Sequence, residues 1–131
     1  MIQLKDVSVH FGKKALLQNV NLQISNGECV VVIGPSGQGK TVLLKLMAGL
    51  ISPTSGSVHV DGLDLLTLRG GQRAELLKKV GMLFQKNALF DSLTCAENIA
   101  FPLRETTSLG EDEISERVVR FLEAVGIPHA K

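Results

Sequence analysis

The stretch VVVIGPSGQGKTV, residues 30–42, decides the architecture that this sequence can adopt. The β-branched apolar residues 30–33 lead into GPSGQGKT at 34–41, which fits the pattern G-x-x-x-x-G-K-[ST] at every fixed position. The largely apolar run Val42–Leu50 follows at once. Strand, glycine-rich loop and helix in this order form the context in which the pattern cradles phosphate groups, so the stretch predicts a nucleoside triphosphate site.

The residue types in this loop suit that chemistry. Glycines carry no Cβ atom and tolerate positive φ, so they let backbone N–H groups approach a polyphosphate. We expect Lys40 to be catalytic through its charge on the β- and γ-phosphates, and Thr41 to give a hydroxyl ligand to Mg²⁺. The alternative is a glycine-rich turn that contains a lysine by chance. The predicted ATP-binding residues of the loop are Gly34, Pro35, Ser36, Gly37, Gln38, Gly39, Lys40, Thr41 and Val42.

Composition narrows the class of protein further. The 131 residues are enough for one domain with a core, and 14 basic against 13 acidic residues give a net charge of only +1. This balance offers no electrostatic case for nucleic acid or an anionic membrane. No apolar run is long enough to span a bilayer, and the N-terminus lacks a signal-peptide layout. Cys29 and Cys95 lack metal-ligand spacing and are expected as reduced, buried thiols of a cytoplasmic protein.

Hydrophobic periodicity and turn residues predict an alternation of strands and helices. Two strands precede Asn26-Gly27, a strong hairpin turn, after which a third strand feeds the glycine-rich loop. Thr94 and Glu97 form the pattern of a capping box, and Pro102 should end or kink the helix that they begin. The predicted strands are Ile2–Val9, Ala15–Ile24, Glu28–Ile33, Val58–Val60 and Val80–Gln85, and the predicted helices are Lys40–Leu50, Arg69–Lys79, Thr94–Phe101 and Glu111–Val125.

Three segments together resemble the opening of an ABC-type ATPase: VSVHFG at 7–12, LQNVNL at 17–22 and the loop at 34–41. The resemblance implies an α/β fold of the P-loop NTPase class, with an antiparallel β subdomain, a partial RecA-like core and the start of a helical subdomain. Residues 1–90 would hold the β subdomain and core, and residues 91–131 the helical start. In this family the aromatic at the position of Phe11 stacks on adenine. The glutamine at the position of Gln85 reaches Mg²⁺ and the attacking water. A core role for Phe11 is the alternative.

The segment after Gln85 resembles one branch of this family more than the others. ALF at 88–90 and FPLRE at 101–105 are similar to the ATPases of phospholipid-trafficking transporters of the Mla, toluene-tolerance and Mce-associated group. The resemblance implies that Leu89 and Phe90 lie in a joint with the membrane subunit; packing beneath the domain is the alternative. Val42 departs from the family, which usually has a second hydroxyl residue there. This change removes one hydrogen bond to the α-phosphate, a loss of about 1 kcal/mol.

The resemblance covers nearly the whole chain but only the first half of the family's domain. The Leu-Ser-Gly-Gly signature, the apolar strand ending in Asp-Glu and the switch histidine of the family have no match in these 131 residues. We therefore expect a truncated form of the domain that binds ATP without sustained turnover. Its apolar sheet edges should lack partners.

Three functions fit these expectations. The first is the ATP-binding subunit of a transporter that drives phospholipid movement, peripheral on the inner face of the cell membrane. Its partners would be a transmembrane permease subunit and a second copy of the full-length ATPase, without nucleic acid. The second is a soluble ABC ATPase of DNA repair or translation. The third is a non-catalytic nucleotide-binding module. All three share ATP and Mg²⁺ as ligands.

Overall fold

The computed structural model describes residues 1–84 and 88–130, which form two compact units, 1–82 and 83–131. The subdomain boundary that the sequence places at residue 90 stays a prediction. The first unit contains β1 (Ile2–Phe11), β2 (Lys14–Ile24), α1 (Lys40–Met47), β3 (Ser55–Val60), β4 (Leu63–Asp64) and α2 (Gly70–Leu77). The second unit contains α3 (Cys95–Thr106) and α4 (Glu111–Ala124).

The strands of the first unit form an antiparallel sheet in the order β2-β1-β3-β4. β1 and β2 are joined by a tight turn in which Gly12 has a φ of +59°, a conformation that glycine adopts without strain. Both predicted N-terminal strands are confirmed, and the strand predicted at Val58–Val60 begins three residues earlier, at Ser55. An α/β fragment with an antiparallel sheet is the fold class that the sequence predicts.

One face of this sheet packs against α1, α2 and the segment after β4. The buried side chains of α1 are Leu46 and Met47, whereas Leu44 is 47% exposed, so only part of the apolar residues of this helix face the core. The buried residues of this core are Leu4, Val7, Val9, Leu46, Met47, Val58, Val60, Leu65, Leu68 and Leu76.

Two predicted strands are wrong. Residues 28–33 have no regular secondary structure, and Val31 and Ile33 are 76% and 87% exposed. Residues 80–84 are also irregular, with Leu83 88% exposed. β-Branched composition favours a strand only when a neighbouring strand accepts and donates the ladder hydrogen bonds, and neither segment has such a neighbour among the described residues. Cys29, in the first of these segments, and Cys95 are both exposed, which contradicts their predicted burial.

The second unit is a pair of packed helices. The capping box of α3 is present as predicted: the Glu97 N–H donates to Thr94 Oγ1 at 3.2 Å, and the Thr94 N–H donates to Glu97 Oε2 at 2.7 Å. The helix does not end at Pro102 but runs on to Thr106. Beyond the proline, Thr106 Oγ1 donates to the Pro102 carbonyl at 2.7 Å, a bond to the carbonyl four residues back that threonines in helices commonly make.

α4 begins with three acidic residues, as the positive end of its dipole favours. Its N-cap is Gly110, whose N–H donates to Glu113 Oε2. The buried core between the two helices consists of Ala100, Ile114, Val118 and Leu122. No helix in the part of the chain that the structure describes is long and apolar enough to cross a membrane.

A glycine in β3 allows a close approach that we expect to be essential for the sheet. Gly56 has a φ of +83°, and a Cβ there would lie 2.4 Å from the carbonyl oxygens of both Lys5 and Asp6. Gly62 has a similar φ of +80° but no atom within 4 Å of its Cβ position. We predict that Gly62→Ala lowers the free energy of unfolding by about 1 kcal/mol and Gly56→Ala by about 3 kcal/mol or more, because only Gly56 adds a backbone clash to the strain. Urea denaturation measures both, and equal losses would contradict the close approach.

The capping box of α3 should make stability depend on pH. Hydrogen bonds from the backbone N–H and the side chain of Thr94 hold the pKa of Glu97 below its usual value. A carboxyl with a lowered pKa in the folded state stabilises that state above the pKa of the unfolded chain, and loses this effect as the pH falls through the folded pKa.

We therefore expect Glu97→Gln to reduce the free energy of unfolding at pH 7, with the difference from wild type vanishing in strong acid. Glu105→Gln is the matched control, since Glu105 is on the same helix but accepts no hydrogen bond among the described residues. Denaturant titrations at pH 7 and at successively lower pH measure the two differences. A Glu97→Gln deficit that does not shrink as the pH falls would show that the loss has another origin.

Candidate functional site

The glycine-rich loop turns sharply into α1. Gly39 is the N-cap of the helix, with φ +88° and ψ +5°, and Gly37 has a φ of +77°. Both values lie in the left-handed region, which residues with a Cβ atom adopt only at a cost of about 1–2 kcal/mol. Residues 34–38 are exposed, whereas Gly39 is buried. The loop therefore presents its backbone to solvent while its last glycine is fixed against the protein.

The start of α1 is arranged to receive an anion. The N–H groups of Lys40, Thr41 and Val42 have no acceptor among the described residues, and the first intrahelical bond runs from the Leu43 N–H to the Gly39 carbonyl. The N-cap residue has no side chain, and the first turn contains no acidic residue. The positive end of the helix dipole and its free N–H groups are thus available to a phosphate group.

The ammonium group of Lys40 lies within this loop. Its Nζ donates hydrogen bonds of 2.7 Å to the carbonyl oxygens of both Gly34 and Pro35. The side chain therefore reaches back along the loop toward its start. A polyphosphate bound at the loop would compete with these two carbonyl oxygens for the ammonium group, and its charged oxygens are the stronger acceptors.

Thr41 is the residue of this loop that could bind Mg²⁺ through its side chain. Thr41 is exposed in the first turn of α1, and its hydroxyl makes no hydrogen bond to another described residue. Residues 1–84 and 88–130 contain no group of three His, Cys, Asp or Glu side chains that could hold a metal ion. Mg²⁺ commonly binds through substrate phosphates, water and one or two protein oxygens. A single hydroxyl beside a phosphate loop fits that pattern, whereas an all-protein metal site does not.

Phe11 is the last residue of β1 and belongs to the same unit as the loop. Its side chain is 61% exposed, next to the turn at Gly12, so the alternative of a core phenylalanine is wrong. Val42 is partly buried and packs against the core of the first unit. The backbone N–H of Val42 is available to an anion, but its side chain offers no hydroxyl.

Gln85 lies outside the described residues, so its predicted role stays a prediction. Leu89 and Phe90 are 63% and 49% exposed, and the Phe90 ring packs edge-on against Phe101 at 4.9 Å between centroids. Within the second unit Phe90 thus packs on Phe101, and both the joint with a membrane subunit and packing beneath the domain stay predictions for Leu89 and Phe90. These side chains form an apolar surface at the start of the second unit.

Asn98 fixes the segment before α3, a function that the sequence analysis missed. Its Oδ1 accepts the Phe90 N–H at 2.8 Å. Its Nδ2 lies 3.0–3.1 Å from the carbonyl oxygens of Phe90, Leu93 and Thr94. The available signal was an asparagine one turn into a predicted helix, where this residue type is disfavoured unless its side chain bonds to nearby backbone.

Comparisons with known proteins agree with this geometry. The family described as "ABC transporter" matches residues 17–131. The intermembrane phospholipid transport system ATP-binding protein MlaF of Haemophilus influenzae is 41% identical over 97% of this chain and 48% of its own length. The probable ribonucleotide transport ATP-binding protein mkl of Mycobacterium leprae is 40% identical over 96% of this chain and 36% of its own.

Solved structures give the same result. The dimeric ATP-binding cassette MJ0796, in a post-hydrolysis state bound to ADP and Pi, superposes with a TM-score of 0.82 at 32% identity. The match covers 94% of this chain and 56% of the cassette. The chain thus spans about half the length of the proteins it matches, or less.

Proposed function

This chain belongs to the ABC transporter family, and we propose that it supplies the ATP-binding loop of a subunit that powers transport. The observation that carries the proposal is the loop at residues 34–42. Its last glycine leads into the free N–H groups of α1, which are suited to an anion. The Lys40 ammonium bonds to two carbonyl oxygens of the same loop. The ADP and Pi of the structurally similar cassette support a nucleotide as the anion.

Each residue of the loop then has a distinct part in binding. The backbone N–H groups at the start of α1 would hold the phosphates, and Lys40 would move from the loop carbonyls to the β- and γ-phosphates, which offer charge-assisted hydrogen bonds. Thr41 would give an oxygen ligand to Mg²⁺, which neutralises phosphate charge when bound. Phe11 would stack on the base, and Gln85 would approach Mg²⁺ and the attacking water.

A phospholipid is the cargo class that the comparisons support best. The segment after residue 85 resembles phospholipid-trafficking ATPases, and the relative with the printed name MlaF belongs to a phospholipid transport system. The name of the mycobacterial relative mentions ribonucleotide transport instead. Both names describe transport, which favours a transporter over a soluble ABC ATPase of DNA repair or translation.

The partners follow from the same family. We infer a transmembrane permease subunit, with the exposed Leu89 and Phe90 at the contact, and a second copy of the ATPase, as in the dimeric cassette. An exposed apolar pair next to a helix is suited to a groove–helix contact with such a subunit. Binding to the permease would place the protein on the cytoplasmic face of the membrane.

Lys40 gives the sharpest test of the site. We predict that Lys40→Ala weakens ATP binding by about tenfold or more, because charge-assisted hydrogen bonds to phosphate are lost. Lys45→Ala is the matched control: it removes the same charge from the last turn of the same helix and should leave affinity within about twofold. Isothermal titration with Mg·ATP measures both. Equal affinities for Lys40→Ala and wild type would refute the site.

Hydrolysis separates binding from turnover in the same samples. These 131 residues contain neither the signature motif nor an apolar strand ending in Asp-Glu, so the chain assayed alone should release no more phosphate than Lys40→Ala does. A steady release in wild type that Lys40→Ala abolishes would show that the catalytic groups are present elsewhere in this chain.

A further inference from the structure

The hairpin of β1 and β2 has an irregularity beside the phosphate loop. Phe11 pairs with Lys14 and His10 pairs with Ala15, but Val9 then pairs with Leu17. Leu16 is therefore an extra residue in β2 with no partner in β1, which is a β-bulge. A bulge increases the local twist and changes the direction in which a side chain points, so neighbouring side chains need not face opposite sides of the sheet.

The bulge brings two consecutive leucines onto one glycine. A Cβ at Gly39 would lie 3.0 Å from Leu17 Cδ2 and 3.2 Å from Leu16 Cγ. In a regular strand successive side chains alternate between the two faces, so two adjacent leucines would not share a neighbour. Gly39 is the buried N-cap of α1, whereas the rest of the loop is exposed. The leucine pair therefore packs the hairpin against the phosphate loop at the residue where the loop becomes a helix.

The same hairpin carries Phe11. This aromatic lies at the tip, in the first pair before the Gly12 turn, and the bulge follows the second pair. Only a few residues thus separate Phe11 from the leucine pair that contacts Gly39, so this contact determines where the tip lies relative to the loop. We propose that Leu16 and Leu17 are positioning residues that fix the distance between a base-stacking position at Phe11 and the phosphate-binding loop.

This proposal rests on the proposed function, since it assigns a task to groups that bind the two ends of one nucleotide. A nucleotide has a limited span between base and phosphates, so both ends bind together only when the two positions are held at the matching distance. Holding them in advance avoids an ordering cost at binding. Loosening the contact should therefore weaken stacking of the base while leaving the phosphate contacts in place.

Two probes separate these effects. ATP uses both positions, whereas inorganic tripolyphosphate uses only the loop. We expect Leu17→Ala to weaken ATP binding by about fivefold or more, the lower limit for losing one aromatic–base stack. Its affinity for tripolyphosphate should stay within about twofold of wild type, because no phosphate contact is removed. Phe11→Ala should give the same pattern, since it removes the stacking ring itself.

Val20→Ala is the matched control for lost packing. Val20 is also on β2 and packs, partly buried, against the same core as Leu17, but it is not among the atoms nearest to Gly39. This variant should change neither affinity beyond about twofold if the contact with Gly39 is what matters. Leu16→Ala provides a second test should Leu17→Ala prove poorly folded, which its thermal unfolding would reveal.

The outcomes separate this proposal from the proposed function. A loss of ATP affinity alone in the leucine variants, with Val20→Ala unchanged, supports positioning by the bulge. Equal losses for ATP and tripolyphosphate, a matching loss in Val20→Ala, or no loss at all would overturn it. Failure of the proposed function has a different signature: Lys40→Ala would then bind both probes as well as wild type.

Discussion

The site depends on Gly39. This residue has a left-handed φ, begins α1, and is buried against two leucines of the neighbouring strand. Any side chain there would be strained by the backbone angle and would also press on the leucine pair. The loop can therefore enter the helix with its first-turn N–H groups facing solvent only because no Cβ is present. The start of α1 and the contact of the loop with the leucine pair both depend on this glycine.

The loop contains two kinds of hydrogen-bond donor. The Lys40 ammonium donates to two carbonyl oxygens of its own loop, so its charge is paired with hydrogen-bond acceptors. The amides at the start of α1 have no such internal partner among the described residues. An anion can therefore accept hydrogen bonds both from the ammonium group of Lys40 and from the backbone N–H groups at the start of α1.

Local patterns in the sequence predicted what local physics decides. The loop, the capping box of Thr94 and Glu97, and the two N-terminal strands depend on neighbours close in sequence or on a hairpin partner, and all are present. Residues 28–33 were predicted as a strand from their β-branched composition and the preceding turn, yet a strand also needs a paired neighbour, which these residues lack in the described chain. The bulge at Leu16 and the side-chain bonds of Asn98 were missed because they depend on register and on distant backbone atoms, which periodicity does not encode.

The claim that the backbone amides at the start of α1 bind a polyphosphate can be observed residue by residue. In two-dimensional ¹⁵N–¹H NMR spectra of the chain, addition of Mg·ATP should shift the amide signals of Lys40, Thr41 and Val42 most strongly, because these N–H groups gain charged acceptors. Amides of α4, such as that of Val118, should move little. Saturating Mg·ATP that leaves the loop amides unshifted, or that shifts only residues elsewhere, would contradict the account.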